Sequence, residues 1–566
     1  MQITRAVRPF GGLPALPMRW LLLSFLLAAC SQPPLPPTTA SSIYTNARIW
    51  TGDPEQPWAH ALAIQGNQIV AVGTAGELAN LADETTEMID LSGAFVAPGF
   101  IDNHVHMIDG GDALSSVDLR PATTPEDLAQ RLADFAADRD PANWITGGDW
   151  DHEQWGGELP MRDWIDTGTG DVPVFVRRMD GHMALANSAA LELAGITRDT
   201  ASPDGGEIVR DASGEPTGVL KDNAMGLVYN VIPPLSDEAL ENALAAASSE
   251  AASRGVTQVH DMSASPTVLD AYRRLQADGR LKTRVYGAML LSRWDELADY
   301  IDAHGRGDRL VRWGMLKGFV DGSLGSTTAW FYDPFDDAPE TSGFPVADTL
   351  VLRERILAAD SAGLQVAVHA IGDRANDWLL RTYAETANSN GPRDRRFRIE
   401  HAQHLTPLAI QRFAELGVIP SMQPYHAIDD GRWAERRIGE RIQTTYPFRS
   451  LLDASAPLTF GSDWFVAPLD PLLGIYAAVT RRTLDDANPG GWVPEQKVTV
   501  DEALRAYTAA NAYAGFQTGQ GVLRAGALAD FVVLSDNLFE IDPVAIRDVE
   551  VLRTVVGGRE VYELTP

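Results

Sequence analysis

Four histidines and one aspartate occupy positions from which they could form a metal site. His104 and His106 are separated by one residue, so a strand would turn both imidazoles to the same side. His369, His401 and Asp463 each lie at the end of an apolar run. Neutral imidazole and carboxylate are ligands that Zn²⁺ and similar divalent ions prefer. The set therefore predicts a divalent metal site, and Zn²⁺ is the expected ion.

A lysine lies within another apolar run, at Lys317. A lysine that is buried beneath a metal site would be an uncompensated charge. It could instead be carboxylated by CO₂ and bridge two metal ions, or it could be a surface or ion-paired lysine. The residues alone leave these interpretations open.

Other histidines could line the same site or compete for it. His182, in the segment Asp180-Gly181-His182, is a candidate substrate contact, and the alternative is a histidine in a surface loop. His426 is a second candidate for substrate binding. His404, three residues after His401, is a rival ligand that we expect to point elsewhere. Three more histidines, in polar or turn contexts, are expected at the surface: His60, His152 and His304.

The elements that must position these residues are eight apolar, β-rich runs that alternate with helical patterns. They are Phe100–His106, Val256–His260, Arg284–Leu290, Met315–Val320, Leu364–Ala370, Phe397–His401, Val418–Gln423 and Leu458–Asp463. Such alternation predicts an α/β fold, a (β/α)₈ barrel of the TIM type, with catalytic residues at the carboxyl ends of the strands. A ninth run, Pro173–Arg177, is placed in an insertion over about residues 109–249. A doubly wound open sheet is the rival topology, but no glycine-rich phosphate loop follows any strand.

Short alternating strands near both ends of the chain predict a second domain. The first set covers residues 43–97 and the second follows a helix within residues 501–566, so the barrel spans residues 98–500. We expect small antiparallel β units from the two ends to form one discontinuous β-sandwich.

The first 42 residues predict a bacterial lipoprotein leader. The apolar run Leu21–Ala29 is too short to span a bilayer, and Leu27-Ala28-Ala29-Cys30 has the pattern of a lipobox. Residues 1–29 are expected to be removed, Cys30 to be lipidated, and the Pro-rich residues 30–42 to form a tether. Ser31 favours sorting to the outer membrane, facing the periplasm in the cell envelope. The alternative is an ordinary cleaved signal with a chance cysteine.

Composition restricts the partners of this chain. The 566 residues include 77 acidic and 46 basic side chains, for a formal charge of −31, which argues against nucleic acid and against direct adsorption to anionic lipid. Membrane contact is therefore expected through the lipid anchor only. The single cysteine rules out an internal disulfide and a cysteine-based zinc site. A homodimer is one of the assemblies left open.

Taken in order, the motifs resemble the amidohydrolase superfamily. They are similar to its family 3 branch, which contains N-substituted formamide deformylase and exoenzyme-regulatory-like proteins. The matching segments, within residues 43–562, are Ala97–His106, Asp180–His182, Asn187-Ser188, Lys317–Ser326, His369–Asp373, Ile399–Gln403, Gln423-Pro424, Gly461–Trp464 and Gly526–Phe531.

The resemblance implies a metal-dependent hydrolase of a non-peptide C–N bond in a formamide, a cyclic amide or an N-acyl small molecule. The implied ligands of one or two ions are His104, His106, Lys317, His369, His401 and Asp463. The first two histidines and the aspartate would hold one ion, the other two histidines a second, and a carboxylated lysine would bridge them. Asp463 would take a proton from the attacking water and return it to the leaving nitrogen. The alternatives are an esterase or lactonase on the same site, or a surface lipoprotein that binds ligands without turnover.

Overall fold

The computed structural model describes residues 39–565 except 138 and 142. The expected leader, the lipidation site Cys30 and most of the tether lie outside these residues. Ala40 is already buried, and its N–H donates to the carbonyl of Leu81 at 2.8 Å, so the described chain is packed two residues before the expected end of the tether. No helix in the described part of the chain combines the length and hydropathy that a membrane span requires.

Eight parallel strands form a barrel in the middle of the chain. They are β1 (Phe100–Val105), β2 (Val256–Ala264), β3 (Arg284–Leu290), β4 (Val311–Phe319), β5 (Gln365–Ala370), β6 (Arg398–His401), β7 (Ile419–Met422) and β8 (Thr459–Phe460). Each strand pairs with the next in the chain. Two hydrogen bonds nearly close the ring between β8 and β1: Asp463 N donates to His104 O at 2.8 Å, and His106 N donates to Trp464 O at 2.6 Å. The predicted parallel barrel is confirmed, and the open-sheet alternative is wrong.

Helices follow the strands of the barrel. They are Met107–Ala113, Asp237–Ser253, Pro266–Ala277, Trp294–His304, Thr349–Ser361, Asp373–Asn390, Pro407–Leu416, Pro424–Asp430, Ala434–Ile438, Phe448–Asp453, Pro471–Thr480, Val500–Ala506 and Ala509–Ala514. Several begin where a capping side chain precedes a proline, as at Ser265-Pro266, Thr406-Pro407 and Asp470-Pro471. Such a cap accepts a free N–H of the first turn, and proline has no N–H to leave unpaired.

Two further sheets are built from the ends of the described chain. The four-stranded sheet has the order Gln68–Gly73, Ala61–Gln65, Ser42–Thr45, Glu87–Asp90. The six-stranded sheet draws on both ends, in the order Arg559–Glu563, Val551–Val556, Phe531–Leu534, Phe95–Pro98, Arg48–Trp50, Trp58–Ala59. The expected antiparallel pattern is incomplete. Ser42–Thr45 pairs in parallel with Glu87–Asp90. The elements between these two strands bring the chain back so that the second strand runs in the same direction as the first.

The insertion between β1 and β2 contains a six-stranded sheet of its own. Its strand order is Gly206–Arg210, Pro216–Asp222, Met183–Ala186, Phe175–Arg178, Gly147–Trp150, Val117–Asp118. Its helices are Pro125–Ala136, Arg162–Thr169, Ser188–Leu193 and Gly226–Tyr229. The ninth apolar run therefore lies outside the barrel, as expected. The helix Asp237–Ser253, which begins inside the predicted insertion, packs on β2 and on the helix Pro266–Ala277, so the insertion ends earlier than expected.

Close contacts join the barrel to the six-stranded terminal sheet. At Gly99, between that sheet and β1, a Cβ would lie 2.1 Å from Thr257 Cγ2, so only glycine lets β1 lie against β2 at this point. Arg284 at the start of β3 donates to both carboxylate oxygens of Asp530, at 2.7 and 2.8 Å, and both side chains are buried. These contacts fix the amino end of the barrel, opposite the strand ends that carry the predicted ligands.

Candidate metal centre

The carboxyl ends of the barrel strands bring the predicted ligands together. His104 lies one residue before the carboxyl end of β1, and Asp463 lies three residues after the end of β8. Asp463 Oδ1 lies 3.3 Å from Nε2 of His104 and 3.3 Å from Nε2 of His106. Lys317 Nζ, from β4, lies 3.1 Å from His104 Nε2. One point in space is therefore surrounded by two imidazoles, a carboxylate and an amine.

The other two predicted ligands lie beside this group. The ring centre of His401 is 4.9 Å from that of His104 and 4.5 Å from that of His369. His426 belongs to the same cluster, since ligand atoms of His401, His426 and Asp463 lie within 4.8 Å of one another. The structure thus brings together all six residues named as ligands, and it places His426 next to them.

Each of the four histidines predicted as ligands has one ring nitrogen hydrogen-bonded to an oxygen outside the cluster. The pairs are His104 Nδ1 with Glu400 Oε2 at 2.6 Å, His106 Nδ1 with Ser263 Oγ at 2.6 Å, His401 Nδ1 with Gln423 Oε1 at 2.9 Å, and His369 Nε2 with Gly322 O at 3.1 Å. At His104, His401 and His369 the oxygen can only accept, so it holds the proton on that nitrogen and leaves a lone pair on the other. The Ser263 hydroxyl can accept from His106 in the same way. This is the arrangement that metal-binding histidines need.

Glu400, which was not among the residues predicted for the site, bonds one of the predicted ligands. Arg398 donates to its two oxygens at 2.7 and 2.9 Å, and Ser421 Oγ donates at 2.7 Å. Burial alone would raise the pKa of Glu400, but Arg398 and His104 hold it well below its usual range, so the buried carboxylate stays charged. The available signal was the spacing of Arg398 and Glu400, which puts two charges on one face of an otherwise apolar strand.

The structure limits the interpretations of Lys317. Its side chain is 1% exposed, so the surface alternative is wrong. It forms no ion pair with a carboxylate of the described residues, and burial lowers its pKa to about 8. A lowered pKa makes the neutral amine accessible near neutral pH, and the neutral amine is the form that reacts with CO₂. Carboxylation of this lysine stays a prediction.

Asp463 has the features of a carboxylate that is held ready for a cation. Burial would raise its pKa, but His104, His106 and His401 hold that pKa well below the usual range. Its Oδ1 atom is buried and accepts no hydrogen bond from residues 39–565 as described. Its φ of 62° is unusual for a residue other than glycine, and such conformations concentrate at functional sites. A buried carboxylate oxygen that lies 3.3 Å from two imidazole nitrogens fits a divalent cation.

Three other histidines differ in their position relative to the cluster. His182 lies beside the cluster, with its ring centre 5.0 Å from that of His369 and its side chain 16% exposed, so the surface-loop alternative is wrong. His404 is directed away, with Nδ1 bonded to Thr445 Oγ1 at 2.8 Å. The prediction that His152 lies at the surface is wrong. The residue is buried, and Arg178 Nε donates a hydrogen bond to its Nδ1 at 3.1 Å.

A cavity of about 700 Å³ opens above the cluster. Side chains of the barrel form an apolar wall: Leu290, Leu291, Phe319, Leu352 and Ile371. The insertion supplies a more polar wall: Arg177, Arg178, Asp180, His182 and Asp222. Asp222 was also missed, because the segment Lys221-Asp222-Asn223 belongs to no recognisable motif. The cavity has the size of a small-molecule site.

Comparison with known proteins agrees with this geometry. The model of a family described as the amidohydrolase family matches residues 87–562. The chain is 39% identical over 539 residues to the Protein LONG AFTER FAR-RED 3 of Arabidopsis thaliana, covering 92% of each chain. It is 30% identical over 541 residues to N-substituted formamide deformylase of Arthrobacter pascens, covering 92% of this chain and 98% of that protein.

A solved structure supports the same relationship. It is that of an uncharacterised metal-dependent hydrolase from Pyrococcus horikoshii OT3, and it superposes with a TM-score of 0.71 at 30% sequence identity. The match covers 92% of this chain and 99% of the other. The likeness therefore extends over the barrel, the insertion and the terminal sheets together.

Proposed function

The chain belongs to the amidohydrolase family as a metal-dependent hydrolase, and we propose that it hydrolyses a non-peptide C–N bond in a small molecule. The observation that carries the proposal is the cluster of anchored imidazoles around Asp463, at the floor of the cavity. Formamides, cyclic amides and N-acylated amines are the substrate classes that we propose. The relative named N-substituted formamide deformylase supports this choice.

The residues of the cluster fit one or two divalent ions, and Zn²⁺ is the ion that we propose. His104, His106 and Asp463 would hold the first ion, and His369 with His401 the second. Lys317, once carboxylated, would bridge the two. Such an ion would act as a Lewis acid on the scissile carbonyl and would acidify the attacking water.

Asp463 is the residue that we propose to move the proton. Its carboxylate stays charged at neutral pH, because the neighbouring imidazoles lower its pKa. It can therefore accept a proton from the attacking water and then donate that proton to the leaving nitrogen, which completes the cleavage of the C–N bond. Glu400 keeps His104 oriented throughout, since its hydrogen bonds to Arg398 and Ser421 leave it little freedom to move.

The experiment that tests the proposal combines metal analysis with a substrate panel. The purified protein is expected to contain about one to two equivalents of zinc per chain, and chelation followed by Zn²⁺ should remove and restore activity. The panel pairs formamides, cyclic amides and N-acylated amines with esters and lactones of matched shape, and release of amine is measured. Turnover of esters or lactones alone would contradict the proposed bond. Absence of both metal and turnover would favour a protein that only binds its ligand.

A further inference from the structure

We propose that Asp222 is a positioning residue that fixes the orientation of His182, and that His182 Nε2 hydrogen-bonds the substrate group that is hydrolysed. The inference rests on the proposed function, since that function names the group. Both residues belong to the insertion, so the insertion would supply part of the catalytic apparatus as well as a wall of the cavity.

The insertion sheet holds the two residues side by side. The strands Met183–Ala186 and Pro216–Asp222 pair antiparallel, with Met183 opposite Lys221. Asp222 N donates to His182 O at 3.0 Å, and the side chains meet where His182 Nδ1 lies 2.7 Å from Asp222 Oδ1. The side chain of Asp222 is only 3% exposed. The pair is therefore held through both the backbone and the side chains.

The barrel holds the same pair from the other side. Gly322, just after β4, lies so close that a Cβ there would be 2.9 Å from Asp222 Oδ1. The carbonyl of Gly322 accepts the hydrogen bond from His369 Nε2 at 3.1 Å. One barrel residue thus lies beside the carboxylate that bonds His182 and also accepts the hydrogen bond of a proposed metal ligand. This packing goes with a distance of 5.0 Å between the ring centres of His182 and His369.

The turn that carries His182 is pinned independently of Asp222. Asp180 Oδ1 accepts the backbone N–H of His182 at 3.1 Å, and Asp180 Oδ2 accepts from Ser323 Oγ at 2.6 Å and from Arg178 Nη1 at 2.8 Å. Loss of the Asp222 carboxylate should therefore leave the backbone in place and free only the imidazole. That separation makes a positioning role testable.

The carboxylate also decides which nitrogen of His182 faces the substrate. An acceptor on Nδ1 holds the proton there, so Nε2 is left for a ligand in the cavity that His182 lines. No other described carboxylate lies within ion-pair distance of the His182 ring. Among the described residues, Asp222 is therefore the carboxylate that bonds the ring directly.

A double-mutant cycle on the zinc-loaded full chain separates positioning from structure. Asp222→Ala should lower kcat by about 10–100-fold, while KM, zinc content and thermal midpoint stay close to the wild-type values. In a His182→Gln background the same change should lower kcat by less than about threefold, because Asp222 acts only through His182. Asp222→Asn keeps an acceptor oxygen and should recover part of the activity. Equal losses in both backgrounds, or loss of zinc, would overturn the proposal.

Glu207→Gln is the matched control. Glu207 pairs with Lys221 at 2.9 Å on the same hairpin and lies outside the cavity lining, so its kcat should be unchanged. A second measurement does not depend on turnover. In ¹⁵N-histidine-labelled enzyme, the resonance lost in His182→Gln should show a proton on Nδ1, and Asp222→Ala should remove that preference. A wild-type resonance with the proton on Nε2 alone, and none on Nδ1, would overturn the proposal, whereas failure of the whole substrate panel would contradict only the proposed function.

Discussion

We propose that Asp463 both holds a cation and accepts a proton, and replacing its carboxylate by an amide tests these roles together. We expect Asp463→Asn to lower turnover by about 10²–10⁴-fold, because an amide cannot take the proton. The fold should persist, since Asn keeps the size of the side chain. Steady-state kinetics with circular dichroism checks this. Asp299→Asn, on the exposed face of the helix Trp294–His304, is the control, and wild-type activity in Asp463→Asn would refute the assignment.

Replacement of Lys317 can distinguish a carboxylated lysine that bridges metal ions from a lysine with a structural role only. Lys317→Ala should lower zinc content, because the bridging group is lost and a hole is left where its buried side chain lay. Short carboxylic acids such as formate or propionate should enter that hole and restore metal and activity. Metal analysis with and without the acid measures both effects, and Lys282→Ala serves as the control. Unchanged zinc in Lys317→Ala would show that no carboxylated bridge exists.

The residues that carry chemistry could be predicted where one short segment identifies them. His104 and His106 need only the alternation of a strand, and His369 and His401 need only their places at strand ends. The partners could not be predicted in the same way. Glu400 follows His104 by 296 residues, so only the closed barrel brings them together.

At the scale of elements, the carboxylate of Asp530 joins the terminal sheet to the barrel. It accepts two hydrogen bonds from Arg284, one from Gln520 Nε2 at 2.7 Å and one from Gly557 N at 2.6 Å. Asp530→Ala leaves the buried guanidinium of Arg284 unpaired, so we expect the free energy of unfolding to fall by about 3–5 kcal/mol. Urea unfolding measures this. Asp536 lies on the exposed side of the same segment, so Asp536→Ala should change the free energy of unfolding by less than about 0.5 kcal/mol.

Replacing both partners distinguishes pairing from simple packing. The double variant Arg284→Met, Asp530→Ala removes the unpaired charge, so it should be more stable than Asp530→Ala alone. A double variant that is less stable than the single one would show that packing of the arginine stem, and not its charge, dominates at this junction.

Continuous apolar runs predicted the eight barrel strands well, because each is buried on both faces. The last strand is only Thr459–Phe460, shorter than expected, since Gly461 and the residues after it leave the ladder to place Asp463 over the cluster. The parallel pairing of Ser42–Thr45 with Glu87–Asp90 could not be read from alternation, because the same pattern suits either direction.

At the scale of the whole molecule, residues from distant regions of the chain line the cavity above the cluster. Ion pairs hold the insertion on the barrel side of that cavity: Glu153 lies 2.5 Å from Arg436 Nη2 and 2.9 Å from Arg437 Nη2. Both arginines lie on or beside the helix Ala434–Ile438, which follows β7. The insertion is therefore held on the barrel by a buried ion pair to Arg437 and a half-exposed one to Arg436, as well as by the loops that contain His182.

The location of the enzyme is a property of the whole chain, and the prediction of a lipid anchor concerns Cys30. We propose that a lipid on this cysteine anchors the protein in the cell envelope. The net charge of −31 would otherwise keep the protein away from anionic membranes, and no described helix could span one. Cys30→Ser should therefore move the enzyme from the membrane fraction to the soluble fraction while its kcat is unchanged, because Cys30 is not one of the residues that form the cluster or line the cavity. Immunoblots of fractionated cells, with Ser31→Ala as the control, measure this, and membrane association that survives Cys30→Ser would refute the anchor.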